Sequence, residues 1–157
     1  MSALTASRNT TQLGVVKAVL DDLALPQKGS TKIYQGALVV LNAGYAAPGS
    51  TASGLIAAGV AFLNPQTAVS DSTGLADGAI SLRVRQGVFL FNCNTGGDVI
   101  AQADAGKYCY IVDDQTVAKS SNASARSKAG IIIAVDSTGV YVAVGLQLNP
   151  APAAAAT

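Results

Sequence analysis

The sequence predicts an all-β fold: a small β-barrel or sandwich of short strands, with an extended N-terminal arm and a mobile Pro/Ala C-terminal tail. Three observations predict it. Short apolar runs rich in Val, Ile and Leu alternate with clusters of Gly, Pro, Asn, Asp and Ser, and no long amphipathic stretch follows the helical period. Glycine recurs just inside the apolar runs, where a bulge or a barrel corner requires it. Near the C-terminus, IIIAV, DSTG and VYVAVGL form two β-branched runs around a turn that ends in glycine, which reads as a hairpin.

Residues 1–12, MSALTASRNTTQ, are polar and aperiodic and form the arm. A free end of this kind stays disordered until something binds it. Residues 13–148 make a single β domain, and residues 149–157, NPAPAAAAT, are the tail. Within the domain, Leu13 to Pro26 is read as a strand because Gly14 and Pro26 bracket a valine-rich run, although its apolar residues fit neither period. KIYQGALVVLN is a strand interrupted at Gly36, NAGYAAPGSTASG a loop, LIAAGVAFL a strand closed by Asn64-Pro65, and PQTAVSDSTGLADG a second loop. AISLRVRQ alternates cleanly: Ile80, Leu82 and Val84 share one face, Ser81, Arg83 and Arg85 the other. VFLFNC is apolar on both parities, with Val88 and Leu90 opposite Phe89 and Phe91, so both of its faces must be covered. NTGGD is a turn, QADAG a bend, KYCYIV a strand, and the hairpin follows.

Two faint echoes run through this pattern. Gln35-Gly36-Ala37-Leu38-Val39 resembles Gln86-Gly87-Val88-Phe89-Leu90, and Ala58-Gly59-Val60 resembles Ala129-Gly130-Ile131. They are compatible with two similar half-barrels, but the unequal spacing between the copies weighs against a duplication of the chain.

The charge balance narrows the partners. The formal net charge is +1, too small a field to draw the chain to nucleic acid or an anionic membrane. Only 12% of residues are charged, about half the usual share, while 50% are apolar. Such a bland surface is expected to be covered by other subunits; the alternative is a monomer clothed in Ser, Thr, Asn and Gly. Ile33 to Ser70 holds no charge, yet Gln35, Asn42 and Pro48 break it into pieces too short to span a bilayer, so a soluble chain is expected. Its start lacks the basic and apolar character of a secretory leader, so Cys93 and Cys109 are expected to be buried thiols in a reducing compartment.

The residues offer little catalytic chemistry. The chain has no histidine, which removes Ser-His-Asp and Cys-His nucleophiles, the usual zinc sites and the commonest general base. Gly106-Lys107 lacks the upstream glycine of a phosphate-binding loop. Asp113 and Asp114 are adjacent, so on a strand they would point to opposite faces. At a turn they could converge with Asp104 or Asp136 on a cation, but aspartate also ends strands by accepting hydrogen bonds from nearby backbone amides, and this structural-turn role is the expectation. Neither cofactor, metal nor small-molecule substrate is expected. Arg83 and Arg85 are read as a subunit-facing stripe more readily than a phosphate grip. With Phe89, Phe91 and Tyr141 they make up the expected subunit interface.

LTASRNT, KIYQGALVVLN with GYAAPG behind it, AAGVA, RVRQGVFLFN, QADAGKYCYIVDDQTVAK, SKAGIIIAVD and STGVYVAV follow in order along nearly the whole chain. The ordered set resembles the small head-decoration, or capsid cement, proteins of tailed bacteriophages. Ser7 stands where that pattern has Asp, and Tyr141 where the final hairpin often has Trp. The resemblance implies a non-enzymatic all-β virion protein, commonly a homotrimer, that binds the major capsid protein on the outer capsid surface after passing through the host cytoplasm. Leu4, Thr5, Arg8, Asn9, Thr10 and Thr11 become the expected capsid-contact arm. At about 3.4 Å per residue such an arm reaches roughly 40 Å. The alternatives are another phage structural part, such as a tail tube or baseplate protein, and a carbohydrate-binding or hydrolytic β domain. For the latter, five tyrosines, three phenylalanines and no tryptophan make a thin aromatic platform.

Overall fold

A computed structural model describes residues 22–63, 66 and 68–146. The arm residues Leu4, Thr5, Arg8, Asn9, Thr10 and Thr11, residues 13–21 of the first expected strand, and the tail all lie outside the described residues.

The described chain is all-β. The first half contains β1 (Asp22–Pro26), β2 (Lys32–Tyr34), β3 (Leu38–Asn42), β4 (Tyr45–Pro48), β5 (Ile56–Ala61), β6 (Val69–Asp71) and β7 (Ser81–Arg85). The second contains β8 (Gly87–Cys93), β9 (Tyr108–Ile111), β10 (Thr116–Ala118), β11 (Lys128–Asp136) and β12 (Gly139–Val144), with short 3-10 turns at Gly96–Asp98 and Gln102–Asp104. Two expected loops therefore hold strands: β4 lies within NAGYAAPGSTASG and β6 within PQTAVSDSTGLADG. Both are too short to show a period, and tertiary pairing defines them.

The second half is a closed barrel in the order β10-β8-β12-β11-β9, sealed by parallel pairing of β10 with β8. The first half forms a sheet in the order β1-β7-β5-β3-β4, and β2 and β6 pair beside it as a ribbon. One parallel bridge, Gln27 to Ala46, joins its edge strands, and the Lys28 amide donates to the Ala46 carbonyl at 2.8 Å. The first sheet thus curls into an incompletely closed barrel.

The two barrels have one topology. Matching β1, β3, β4, β5 and β7 to β8, β9, β10, β11 and β12 reproduces every neighbour and every strand direction, including the single parallel seam. The registers agree residue by residue. Val40 pairs with Ala57 and Val39 with Gly59, skipping Ala58; Tyr110 pairs with Lys128 and Cys109 with Gly130, skipping Ala129. The turns before β3 and β9 also match: Gly36 donates to the Ala61 carbonyl at 3.0 Å and Gly106 to the Ile132 carbonyl at 2.7 Å. The paired glycines share a steric cause. A Cβ on Gly59 would lie 2.4 Å from the Arg85 carbonyl oxygen, and one on Gly130 would lie 2.1 Å from that of Ala143. The two similar half-barrels that the echoes allowed are therefore present, although one of the two echoes pairs the wrong residues. Spacing misled because Gly36 echoes Gly87 in sequence but matches Gly106 in the fold, and because β6 lengthens the first half where the second has only the tight turn between β11 and β12.

Each barrel has its own filling. Ile33, Val39, Ala46, Ala61, Leu82 and Val84 fill the first. Phe91, Cys109, Ile111, Val117, Ile132, Val140 and Val142 fill the second, and this cluster continues into Leu38, Val40, Ala57 and Val60 from the outside of the first barrel. The halves are therefore fused through apolar contact, with burial of this kind contributing about 25 cal/mol per Å².

Candidate interaction face

β8, β12, β11 and β9 lie side by side, and their outward residues align in register. Val88 pairs with Ala143, Ala143 with Ile131, and Ile131 with Tyr108. One row along, Leu90 pairs with Tyr141 and Tyr141 with Ala134, while Ile133 bulges outward beside them. Four of these side chains are well exposed for their type: Val88 at 53%, Leu90 at 47%, Ile133 at 49% and Tyr108 at 39%. The face is continuous and apolar, with Lys128 at its margin holding its ammonium 4.3 Å from the centre of the Tyr108 ring. Contiguous apolar surface of this kind marks a contact site.

The expected subunit-interface residues divide. Tyr141 lies on this face. Phe89 and Phe91 do not: Phe91 is 3% exposed and Phe89 packs against the same barrel interior, which corrects their assignment to an interface. Alternation fixes that Val88 and Leu90 face outward once Phe91 is inside. Arg83 and Arg85 are on the outside of the first barrel, clamped to Asp22 at 2.8 and 2.9 Å. The Arg85 guanidinium also stacks 3.5 Å from the centre of the Phe62 ring. The hydrogen bond from Arg85 is the main cause that lowers the Asp22 pKa.

The Asp113-Asp114 turn sits where the halves meet. Asp113 Oδ1 accepts the Gln115 amide at 2.9 Å, the backbone-anchoring geometry expected of it. Its neighbours reach across: the Asp114 carbonyl accepts the Leu38 amide at 2.7 Å, and the Val112 carbonyl accepts the Thr51 hydroxyl at 2.8 Å. Burial, assisted by the charge of Asp113, raises the Asp114 pKa. Cys109 is fully buried, burial pushes its thiol up to about 12, and its Sγ donates to the Gly130 carbonyl. A thiol held protonated in this way is a core residue, not a nucleophile.

Sequence reasoning named Asp104 only as a possible partner of the Asp113-Asp114 turn around a cation and missed its structural role. Its buried carboxylate accepts the Ala101 amide at 3.1 Å and pairs with Lys107 at 3.0 Å and Lys119 at 3.2 Å. The amide bond, then the two ammonium groups, hold its pKa near 2. It pins the bend before β9 to the segment after β10, and only spacing-independent tertiary contact reveals it.

A cleft of about 370 Å³ opens beside the apolar face, lined by Ser53, Leu55, Tyr110, Ser124, Arg126 and Lys128. Arg126 Nη1 pairs with Asp98 at 2.9 Å, while its Nε is buried without a hydrogen-bond partner. Hydrogen bonds from the Ser120 hydroxyl and from Arg126 lower the Asp98 pKa. The cleft brings together equivalent segments of the two halves, since Ser53 to Ile56 of the first occupies the place of Ser124 to Ser127 in the second.

Among the described residues, no group of three or more His, Cys, Asp or Glu is arranged to hold a metal ion, and no helix is long and apolar enough to cross a membrane. No family model, curated protein or solved structure matches the chain. The geometry therefore carries the functional argument, and what it offers is a surface.

Proposed function

We propose that this protein is a structural part of a tailed-bacteriophage virion, which binds the outer surface of the assembled capsid as a homotrimer and staples neighbouring major capsid subunits. The observation that carries the reading is the continuous apolar face of Val88, Leu90, Tyr108, Ile131, Ile133 and Tyr141, on a chain in which most of the described aspartates are engaged in structural bonds. The ordered resemblance to capsid cement proteins supplies the partner.

The mechanism is additive contact. A trimer presents each capsid-binding patch three times, so weak contacts to several capsid subunits combine through effective concentration. An interface of roughly 800 Å² per partner is the usual size for a stable contact. The arm, residues 1–12, offers backbone groups for strand-like pairing with a capsid loop.

Electron microscopy of the protein mixed with capsids of its own phage tests the reading. Density at regular positions on the outer shell is expected, and it should weaken or vanish when residues 2–12 are deleted while the folded body stays intact. Rings or tubes in place of decorated shells would assign the protein to a tail tube or baseplate and overturn the capsid reading.

A further inference from the structure

The repeated architecture gives each residue at the junction of the two halves a counterpart elsewhere in the chain. On the first barrel, the outward side chains of β3 and β5 that meet the second half are Leu38, Val40, Ala57 and Val60, none more than 8% exposed. By register, their counterparts on the second barrel are Tyr108, Tyr110, Lys128 and Ile131. These lie beside the cleft, Tyr108 and Lys128 exposed and Tyr110 and Ile131 half-buried.

The covering element has a counterpart as well. The first barrel's face is closed by the turn after β9, through the bonds from Leu38 to Asp114 and from Thr51 to Val112 and the bridge of Ser50 to Asp113. The equivalent turn of the first half is Asn42-Ala43-Gly44-Tyr45, between β3 and β4. Ala43 and Gly44 are exposed there, and a Cβ on Gly44 would meet nothing within 4 Å. The turn carries no charge that would oppose its burial. Among the described residues, one chain thus contains one filled junction and both halves of a second, unfilled one.

We infer that the face of Tyr108, Tyr110 and Ile131 receives the Asn42–Tyr45 turn of a second copy of this chain, repeating between copies the junction that joins the two barrels within one. The surfaces that meet are different, so the contact is heterologous: copies join head to tail and either close into a ring or extend. The inference rests on the proposed function only for the number of copies. In a trimer it would place six barrels of one topology around the ring, every junction alike.

Cysteine pairing tests the contact without reference to capsids. Within one chain Thr51 bonds to Val112; their counterparts are Asn122 and Asn42, so residue 122 of one copy should meet residue 42 of the next. Asn42→Cys alone and Asn122→Cys alone should stay uncross-linked under mild oxidation, while an equimolar mixture of the two yields a covalent dimer. The doubly substituted chain should yield species of three copies or more. Cross-linking of either single variant with itself would indicate a symmetric contact and overturn the inference, as would an uncross-linked mixture. A cross-link that forms only after removal of residues 2–12 would assign the face to the chain's own arm and also overturn it. Cross-linking by a protein that fails to decorate shells would leave the contact standing and remove the capsid reading.

Discussion

At the positions where the second barrel carries Val88, Tyr141 and Ala143 on its outside, the first carries Asp22, Arg83 and Arg85. The backbone and the inward residues are matched, yet one outer row is an ion-paired, solvated stripe and the other is apolar. Next to these rows the contrast reverses: Leu38, Val40 and Val60 of the first barrel are buried against the second, while Tyr108, Tyr110 and Ile131 remain partly exposed. Inward alternation is what makes the barrel, so the outer rows are free to record what each face meets. The first barrel meets its own second half and water; the second has an apolar face that nothing described here covers.

The strongest way to break the equivalence is at the paired glycines. Gly59→Val and Gly130→Val each drive a side chain into a backbone carbonyl of the adjacent strand, at 2.4 and 2.1 Å from the first carbon alone. Each should cost on the order of 4 kcal/mol or more, read by urea denaturation, because backbone cannot yield as a side chain can. Loss at only one of the two sites would show that the barrels are not mechanically alike.

The next comparison uses one substitution at two equivalent positions. Leu38→Asp leaves a carboxylate buried at the junction of the halves and should cost about 3 to 5 kcal/mol. Tyr108→Asp, at the matching register on the open face, should change the stability of the single chain by no more than about 0.5 kcal/mol. Equal destabilisation would mean that the second face is covered within the chain.

The smallest effect is confined to acid. Asp104 has no acidic counterpart in the first barrel, where Tyr34 occupies the matching turn position. Its folded pKa is lowered from the usual 3.8 to about 2, so its stabilising contribution is full above the unfolded value and is lost as pH falls through this interval. Asp104→Asn should therefore be less stable than the parent near neutrality, and the gap should close as pH approaches about 2. Thermal melts of both proteins across that range would show it; a gap independent of pH would assign the loss to packing.

Legibility in the sequence followed element length and contact range. The hairpin of β11 and β12 and the alternation of β7 were readable because each is a local pattern. The Ala-Gly echo at Gly59 and Gly130 was readable and true, since both glycines make the same bulge. The echo at Gly36 and Gly87 was false, because the structural partner of Gly36 is Gly106, whose neighbours Asp104 and Lys107 answer to ion pairing in place of sequence likeness. β4, β6 and β10 are three or four residues long and owe their existence to neighbouring strands. The face itself was half visible. VFLFNC announced that both of its sides were covered, but which parity faced outward depended on the closure of the barrel, which only long-range pairing decides.

Static light scattering of the parent and Tyr108→Asp proteins at micromolar concentration tests the central claim most directly. The account predicts three chain masses for the parent and a single chain mass for the variant, with unchanged melting of the folded body. A monomeric parent, or a variant that keeps its assembly, would contradict the claim that the open face of the second barrel joins one copy to the next.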